Sequence, residues 1–463
     1  MHKITVGSST YYAAEGERLS EVLIKNGMSV EHPCGGRGVC GKCAVLVNGR
    51  KELSCRYEVR SDITVTLPEK AEMLSETGAE ESGRQTENLC FALDIGTTTL
   101  ALALVSLDEG RIVRVITKTN PQRRFGADVI SRIDYCMKNG TEELTACLVA
   151  EISAMVSELY SGRELDMYVA ANATMLHTFF GVDCSSIGVA PYNAVFLGEK
   201  RGVGQNIGIK GVAEVYALPS VHSFVGADIV AGMNLVGLPT EKKYSLLVDL
   251  GTNAEIVLFS RARALCTSAA AGPCFEGANI TCGMSATPGA ICAFSRGGEI
   301  STIGDKEPVG ICGTGLIDIV AAFVADETVD ETGFIEDEEI EITDRVILTQ
   351  QDVRQLQLAK SAVYSAIVAL IKRENIDFTD VETLYISGGF SAKLNLDSAV
   401  SIGLLPRELQ SKCRVLNNSS LLGTVKFACE RNDLAPYLEN ASYVDLSTDK
   451  NFTDLFVENM MFE

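Results

Sequence analysis

Two stretches of this chain follow one plan. Leu93-Asp94-Ile95-Gly96-Thr97-Thr98-Thr99 leads into Leu100-Ala101-Leu102-Ala103-Leu104-Val105, and Val248-Asp249-Leu250-Gly251-Thr252-Asn253 leads into Ala254-Glu255-Ile256-Val257-Leu258. Each is an apolar strand ending on Asp-hydrophobe-Gly-Thr, then a polar turn, then a second apolar strand. The copies lie 155 residues apart (249 − 94), which reads as an internally duplicated βββαβα unit rather than a short solenoid repeat. Such a turn suits phosphate. Gly96 and Gly251 allow close backbone approach. Successive N–H groups form an anion nest, and the side chains of Thr97, Thr98, Thr252 and Asn253 add polar groups. Asp94 and Asp249 would end their strands facing each other across a cleft, where they can hold Mg²⁺ through water. A single turn of this kind is an ordinary strand exit. Two at domain spacing predict a shared phosphate site.

The N-terminal part carries different chemistry. Cys34-Gly-Gly-Arg-Gly-Val-Cys40-Gly-Lys-Cys43, with Cys55 beyond, has the spacing C-x5-C-x2-C-x11-C. Four thiolates suit an Fe–S cluster, and plant-type [2Fe–2S] loops read C-x4-C-x2-C…C, one residue shorter in the first gap. Gly35, Gly36, Gly38 and Gly41 let a short backbone wrap a cluster with N–H groups turned to its sulfurs. A four-cysteine zinc site is the alternative, but zinc ribbons carry two separated C-x2-4-C knuckles and this stretch has one. The expected metal ligands are Cys34, Cys40, Cys43 and Cys55.

Around that loop the pattern is strand-rich. Residues 3–14 alternate as a hairpin, 18–27 space Leu19, Val22 and Leu23 as a helix, and Asn48-Gly49 is a hairpin turn between 44–47 and 51–53. Ile63-Thr64-Val65-Thr66-Leu67 is a last strand. A small sheet, one helix and a cysteine loop describe an α+β, β-grasp fold over 1–67, and this stretch resembles the [2Fe–2S] ferredoxins. Residues 68–88 are rich in Glu, Ser, Thr and Gly and read as a flexible acidic linker. An r.m.s. span of about 25 Å would let the first domain swing. The remainder divides into 89–240 and 241–463, one copy of the duplication in each.

Composition removes some classes. The net charge of −21 argues against nucleic acid or an anionic membrane surface as partner. No apolar run reaches transmembrane length, and the N-terminus has no signal-peptide pattern, so a cytoplasmic location is expected. Eleven of the fifteen cysteines lie outside the loop, many in apolar settings, and read as small buried hydrophobes.

Other stretches complete a nucleotide site. Tyr385-Ile386-Ser387-Gly388-Gly389-Phe390 places paired glycines after a strand, at an expected helix start. Gly313 and Gly315 enter the apolar helix 316–324, either facing an anion or as a packing turn. The small-residue stretches 225–232 and 418–424 suit interlobe hinges. Within the first, Asp228 is a candidate catalytic or metal carboxylate, or an N-cap. His177 and His222 read as packed histidines.

The paired turns resemble the superfamily of two-lobed α/β ATPases, often called ASKHA, that includes acetate kinase, sugar kinases, actin and heat-shock chaperones. The resemblance implies that the paired loops clamp the β- and γ-phosphates of ATP and that Gly388-Gly389 holds the adenosine. A narrower resemblance rests on Asn120-Pro121-Gln122, Gly126-Ala127-Asp128-Val129-Ile130-Ser131-Arg132-Ile133, Ala171-Asn172-Ala173-Thr174, Ala271-Gly272-Pro273-Cys274-Phe275-Glu276-Gly277 and Gly403-Leu404-Leu405-Pro406. These look like the reductive activators of corrinoid-dependent enzymes. That family implies ATP-dependent transfer of one electron from a [2Fe–2S] cluster to Co(II), regenerating Co(I) for methyl transfer. The implied partners are a corrinoid protein and an upstream low-potential electron donor. Longer members carry an extra domain, often involved in dimer contacts, where Asn88-Leu89 here runs straight into the first phosphate strand; a homodimer is left open. The rival reading is a redox-sensing kinase or chaperone-like ATPase whose ferredoxin domain regulates phosphoryl transfer.

Overall fold

The computed structural model describes residues 1–7, 9–26, 28, 43–67 and 88–462. Cys34, Cys40, the loop glycines and all but the last residue of the linker assigned to 68–88 lie outside them.

The N-terminal sheet forms as its alternation predicts. Strand β1 (His2–Val6) pairs with β2 (Ser9–Ala13); helix α1 (Leu19–Lys25), β3 (Ala44–Val47), β4 (Arg50–Leu53) and β5 (Ile63–Thr66) follow. The order is β2-β1-β5-β3-β4, with β1 and β5 parallel at its centre. That first-to-last parallel pairing is the β-grasp arrangement. Asn48 and Gly49 both have positive φ, 51° and 80°, as a type I′ hairpin turn requires. Asn48 Oδ1 also accepts from Thr64 N at 2.8 Å, pinning the turn to β5. Ile4, Leu19, Leu23, Val45 and Val65 form the core, and Cys43 and Cys55 are buried in it.

Two six-stranded sheets follow. The first contains β6 (Leu89–Ile95), β7 (Thr99–Ser106), β8 (Arg111–Thr119), β9 (Leu165–Ala171), β10 (Lys200–Val203) and β11 (Val212–Ala217), in the order β10-β11-β9-β6-β7-β8. The second contains β12 (Tyr244–Leu250), β13 (Ala254–Phe259), β14 (Ala264–Ala269), β15 (Val381–Ser387), β16 (Cys413–Val415) and β17 (Ala441–Tyr443), in the order β16-β15-β12-β13-β14-β17. Five strands correspond one to one. In each sheet the first strand pairs antiparallel with the second and parallel with the fourth. The halves differ at their edges, where β10 extends one sheet and β17 the opposite side of the other.

Helices α2 (Val129–Asn139) and α3 (Glu142–Leu159) belong to the first half, and α4 (Ala227–Val236) leaves it. Helices α5 (Gly313–Ala325), α6 (Gln350–Glu374) and α7 (Ser419–Glu430) belong to the second. The last helix crosses over. Leu421, Val425 and Ala428 of α7 pack on Ala92, Ala101 and Ala103 of the first sheet. Alanines there let the helix lie close. In turn α4 packs against Leu247 and Val257 of the second sheet. The two crossing helices meet at their glycines: a Cβ on Gly423 would lie 1.9 Å from the Ala231 carbonyl oxygen. The small residues of 225–232 and 418–424 thus serve close helix contact.

One local expectation is corrected. Gly388-Gly389 does not open a helix. Gly388 has φ 120° and its Cα sits against Leu250, where a Cβ would meet the carbonyl oxygen at 2.1 Å. The chain turns there through a 3-10 segment, Ser391–Lys393, before the helix Leu396–Ser401.

Candidate functional site: a carboxylate-lined cleft

The twin turns open into one cleft of about 1540 Å³. Asp94, Asp228 and Asp249 line it, as do the turns 96–98 and 251–253, Gly313, Gly388 and Gly389. Gly315 does not. Its Cα abuts β-structure, with a Cβ falling 2.1 Å from the Ile291 carbonyl oxygen, so the packing reading holds for that glycine.

Asp94 and Asp249 are each the penultimate residue of a first strand, at equivalent positions of the duplicated sheets. Each is partly open to the cleft and enclosed by protein on its other sides. Enclosure pushes both carboxyls up to about 6, because burial disfavours the charged form. Hydrogen bonds from Ser420 and Asn418 act against that rise at Asp94, and one from Ser387 does so at Asp249. Asp228 is not an N-cap. Gly226 takes that position, Asp228 lies in the first turn of α4, and its Oδ1 accepts from Ile229 N at 2.9 Å. Burial, then the charges of Asp249 and Asp94, push its carboxyl up to about 7.

The sequence reading missed Glu255. It sits directly opposite Asp249 in the β12–β13 pairing and lines the cleft. Burial, Asp228 and Asp249 raise its carboxyl well above the usual range. The repeat itself hid it, because the residue opposite Asp94 is Ala101. Glu276 was also missed as a site residue; its Oε2 accepts from Thr252 Oγ1 at 2.9 Å. Ser387, Asn418 and Ser420 bond the two strand-end aspartates; only a glycine-pair stretch signalled the first, and only a small-residue stretch the other two.

His177 is packed. Val195 N donates to its Nε2 at 3.0 Å, and its ring stacks on Phe196 with centroids 4.3 Å apart. His222 stacks on Tyr443 at 4.0 Å.

In the N-terminal domain the thiols of Cys43 and Cys55 stand 3.1 Å apart. The hairpin explains this: Cys43 precedes β3 and Cys55 follows β4, so both emerge at one end. Two buried thiols converging this way fit two ligands of a cluster.

A β-grasp domain followed by duplicated sheets around a carboxylate-lined cleft defines a [2Fe–2S] protein joined to a two-lobed ASKHA-type fold. Three families match in sequence: the 2Fe-2S iron-sulfur cluster binding domain over residues 4–90, the RACo middle region over 89–241, and the C-terminal domain of RACo, the ASKHA domain, over 243–463. The chain is 31% identical over 422 residues to the corrinoid activation enzyme RamQ of Eubacterium limosum, covering 80% of this chain and 70% of that protein. It is 24% identical over 411 residues to the [Co(II) methylated amine-specific corrinoid protein] reductase of Methanosarcina barkeri, covering 79% and 76%. The solved structure of a reductive activator for corrinoid, iron-sulfur protein has the same fold, with a TM-score of 0.72 over 100% of this chain and 98% of the other at 24% identity. The chain belongs to this family of corrinoid activators. Among the described residues no helix is long and apolar enough to cross a membrane.

Proposed function

We propose that this protein reductively activates a corrinoid protein in an ATP-dependent manner. One electron moves from the N-terminal domain to the substrate cobalt, taking Co(II) to Co(I). An upstream donor of low potential restores the electron. Cys34, Cys40, Cys43 and Cys55 would hold a [2Fe–2S] cluster, which would supply one electron at a time at about −400 mV in the plant type. The observation that carries the nucleotide half is the placing of Asp94 and Asp249 at equivalent strand ends on one cleft.

In this reading the N–H groups and hydroxyls of 96–98 and 251–253 grip the polyphosphate of ATP from opposite halves. Gly388 and Gly389 border the adenosine. Among the described residues no three His, Cys, Asp or Glu side chains converge closely enough to hold a metal ion directly. Asp94 and Asp249 would hold Mg²⁺ through water, and the ion would neutralise charge on the phosphates. Asp228, with its raised carboxyl, takes the proton of the attacking water. Closing the two halves on the nucleotide changes the face presented to the corrinoid partner, and only a difference in affinity between the two states makes that useful. The division into 1–67, a linker at 68–88, and lobes at 89–240 and 241–463 belongs to this proposal, as does a cytoplasmic location.

The test is direct. The reduced protein is incubated with a Co(II) corrinoid protein, with and without Mg-ATP, and the Co(I) absorption is followed. Co(I) formation that needs Mg-ATP supports the proposal. ATP turnover without any cobalt reduction favours the regulated-kinase reading instead, for which Asp228 would serve as base toward a hydroxyl acceptor.

A further inference from the structure

The segment from Asn120 to Arg132 wraps the back of the first phosphate turn. Each of the three carbonyl oxygens there has a donor from this segment. Asn120 Nδ2 donates to Gly96 O at 2.8 Å, Asn120 N to Thr98 O at 2.9 Å, and Arg132 Nη2 to Thr97 O at 2.5 Å. Arg132 is 0% exposed. Its other oxygen acceptors are Gly126 O at 2.9 Å and Gln122 Oε1 at 3.3 Å, both neutral, as is Thr97 O. A buried guanidinium facing only neutral oxygens is expensive to keep, and burial pulls its pKa down to about 9.

In a trans peptide the C=O and the following N–H point in opposite directions. Fixing the carbonyls of 96–98 toward Asn120 and Arg132 therefore turns the N–H groups of Thr97, Thr98 and Thr99 the other way. Among the described residues those of Thr97 and Thr98 donate to no protein acceptor, and both residues line the cleft. Among the described residues of the second half no arginine bonds the matching turn. There the Thr252 carbonyl accepts from the Gly272 backbone N–H at 2.9 Å.

We propose that Arg132 and Asn120 are positioning residues for nucleotide phosphate, holding the 96–98 turn by its carbonyl oxygens so that its N–H groups meet the polyphosphate. This rests on the nucleotide reading of the cleft. Removing the Arg132 donors leaves the turn free to rotate its peptides and to lose anion contacts, while the glycine pair bordering the base stays as it is.

The experiment is titration calorimetry on the full chain with Mg-ATP and, separately, adenosine. For Arg132→Gln the expected result is an ATP affinity about 10- to 100-fold weaker, the range for losing hydrogen bonds from a charged donor, with adenosine affinity unchanged. Arg132→Lys, which keeps the charge but not the planar fork, falls between. Equal losses for both ligands mean a merely structural role and overturn the inference, as does an unchanged ATP affinity. Should Arg132→Gln fail to fold, Asn120→Asp is read by the same two titrations. It keeps the acceptor for Gln122 N and loses the donor to Gly96. A wild-type chain that binds neither ligand overturns the nucleotide reading and this inference together. Wild-type binding with unaffected variants overturns this inference alone.

Discussion

Ser420 donates to Asp94 Oδ1 at 2.7 Å, although 326 residues separate them. A helix start from the second half thus acts against the effect of burial on a carboxylate in the first. The bond favours the ionised form. Ser420→Ala should move the Asp94 carboxyl further above its value of about 6. More of it is then protonated at neutral pH, and the acidic limb of the ATPase pH profile shifts upward. Rates measured from pH 5 to 9 check this; an unmoved limb contradicts it.

The free chain should become less stable as pH rises. Asp94 and Asp249 are raised to about 6 and Asp228 to about 7, all above the unfolded carboxylate range near 4. A raised carboxyl contributes stability that is full below about pH 4 and is lost as pH climbs through 6 to 7. Melting temperature without divalent cation should therefore decline between pH 5 and 8. Asp228→Asn should flatten the decline, and Mg-ATP should stabilise most at the alkaline end. Thermal melts across that range decide it.

Replacing a helical glycine by alanine normally stabilises by about 0.5–1 kcal/mol. Gly423→Ala should do the opposite, because its Cβ would fall 1.9 Å from the Ala231 carbonyl oxygen, a backbone atom that cannot swing aside. A loss of about 1–3 kcal/mol is expected from such overpacking, read as a lower urea midpoint.

What the sequence made legible follows from repetition and periodicity. Asp94 and Asp249 stood out because the same short pattern occurs twice around them, and the paired sheets place them at matching strand ends. Asn48-Gly49 was legible because positive φ restricts the choice of residues. Glu255 stayed hidden because it belongs to one half only. Ser420 and Asn418 stayed hidden because their partner is brought near by the crossing of α7 onto the first sheet, a tertiary event with no local mark. Arg132 stood in a family-like motif, but its role had no mark until its acceptors were placed. The glycine pair at 388–389 was misread as a helix start because a close strand approach and a helix start call for the same residue.

Asp94→Ala should lower ATP hydrolysis by about 100-fold or more, the scale for deleting one preorganised electrostatic group. The same variant should lose corrinoid reduction yet keep the visible spectrum of the N-terminal domain. Reduction that survives would sever ATP from the reaction.

Cys43→Ser should give the reverse. Its thiol lies 3.1 Å from that of Cys55, and in the proposed cluster either loss would remove a ligand. Iron content and visible absorption should fall while ATP affinity is retained. Full iron retention would exclude Cys43 as a ligand.

The start of α7 has a mechanical meaning. Ser420 touches Asp94, and its neighbour Ser419 bonds Ser387 at 2.7 Å, the residue that in turn bonds Asp249. Two consecutive serines thus reach both strand ends. Sliding one sheet past the other would break at least one of the two contacts, because both start from the same turn of helix. Asn418, Ser419 and Ser420 thus form one knot that ties the strand end of Asp94 to that of Asp249.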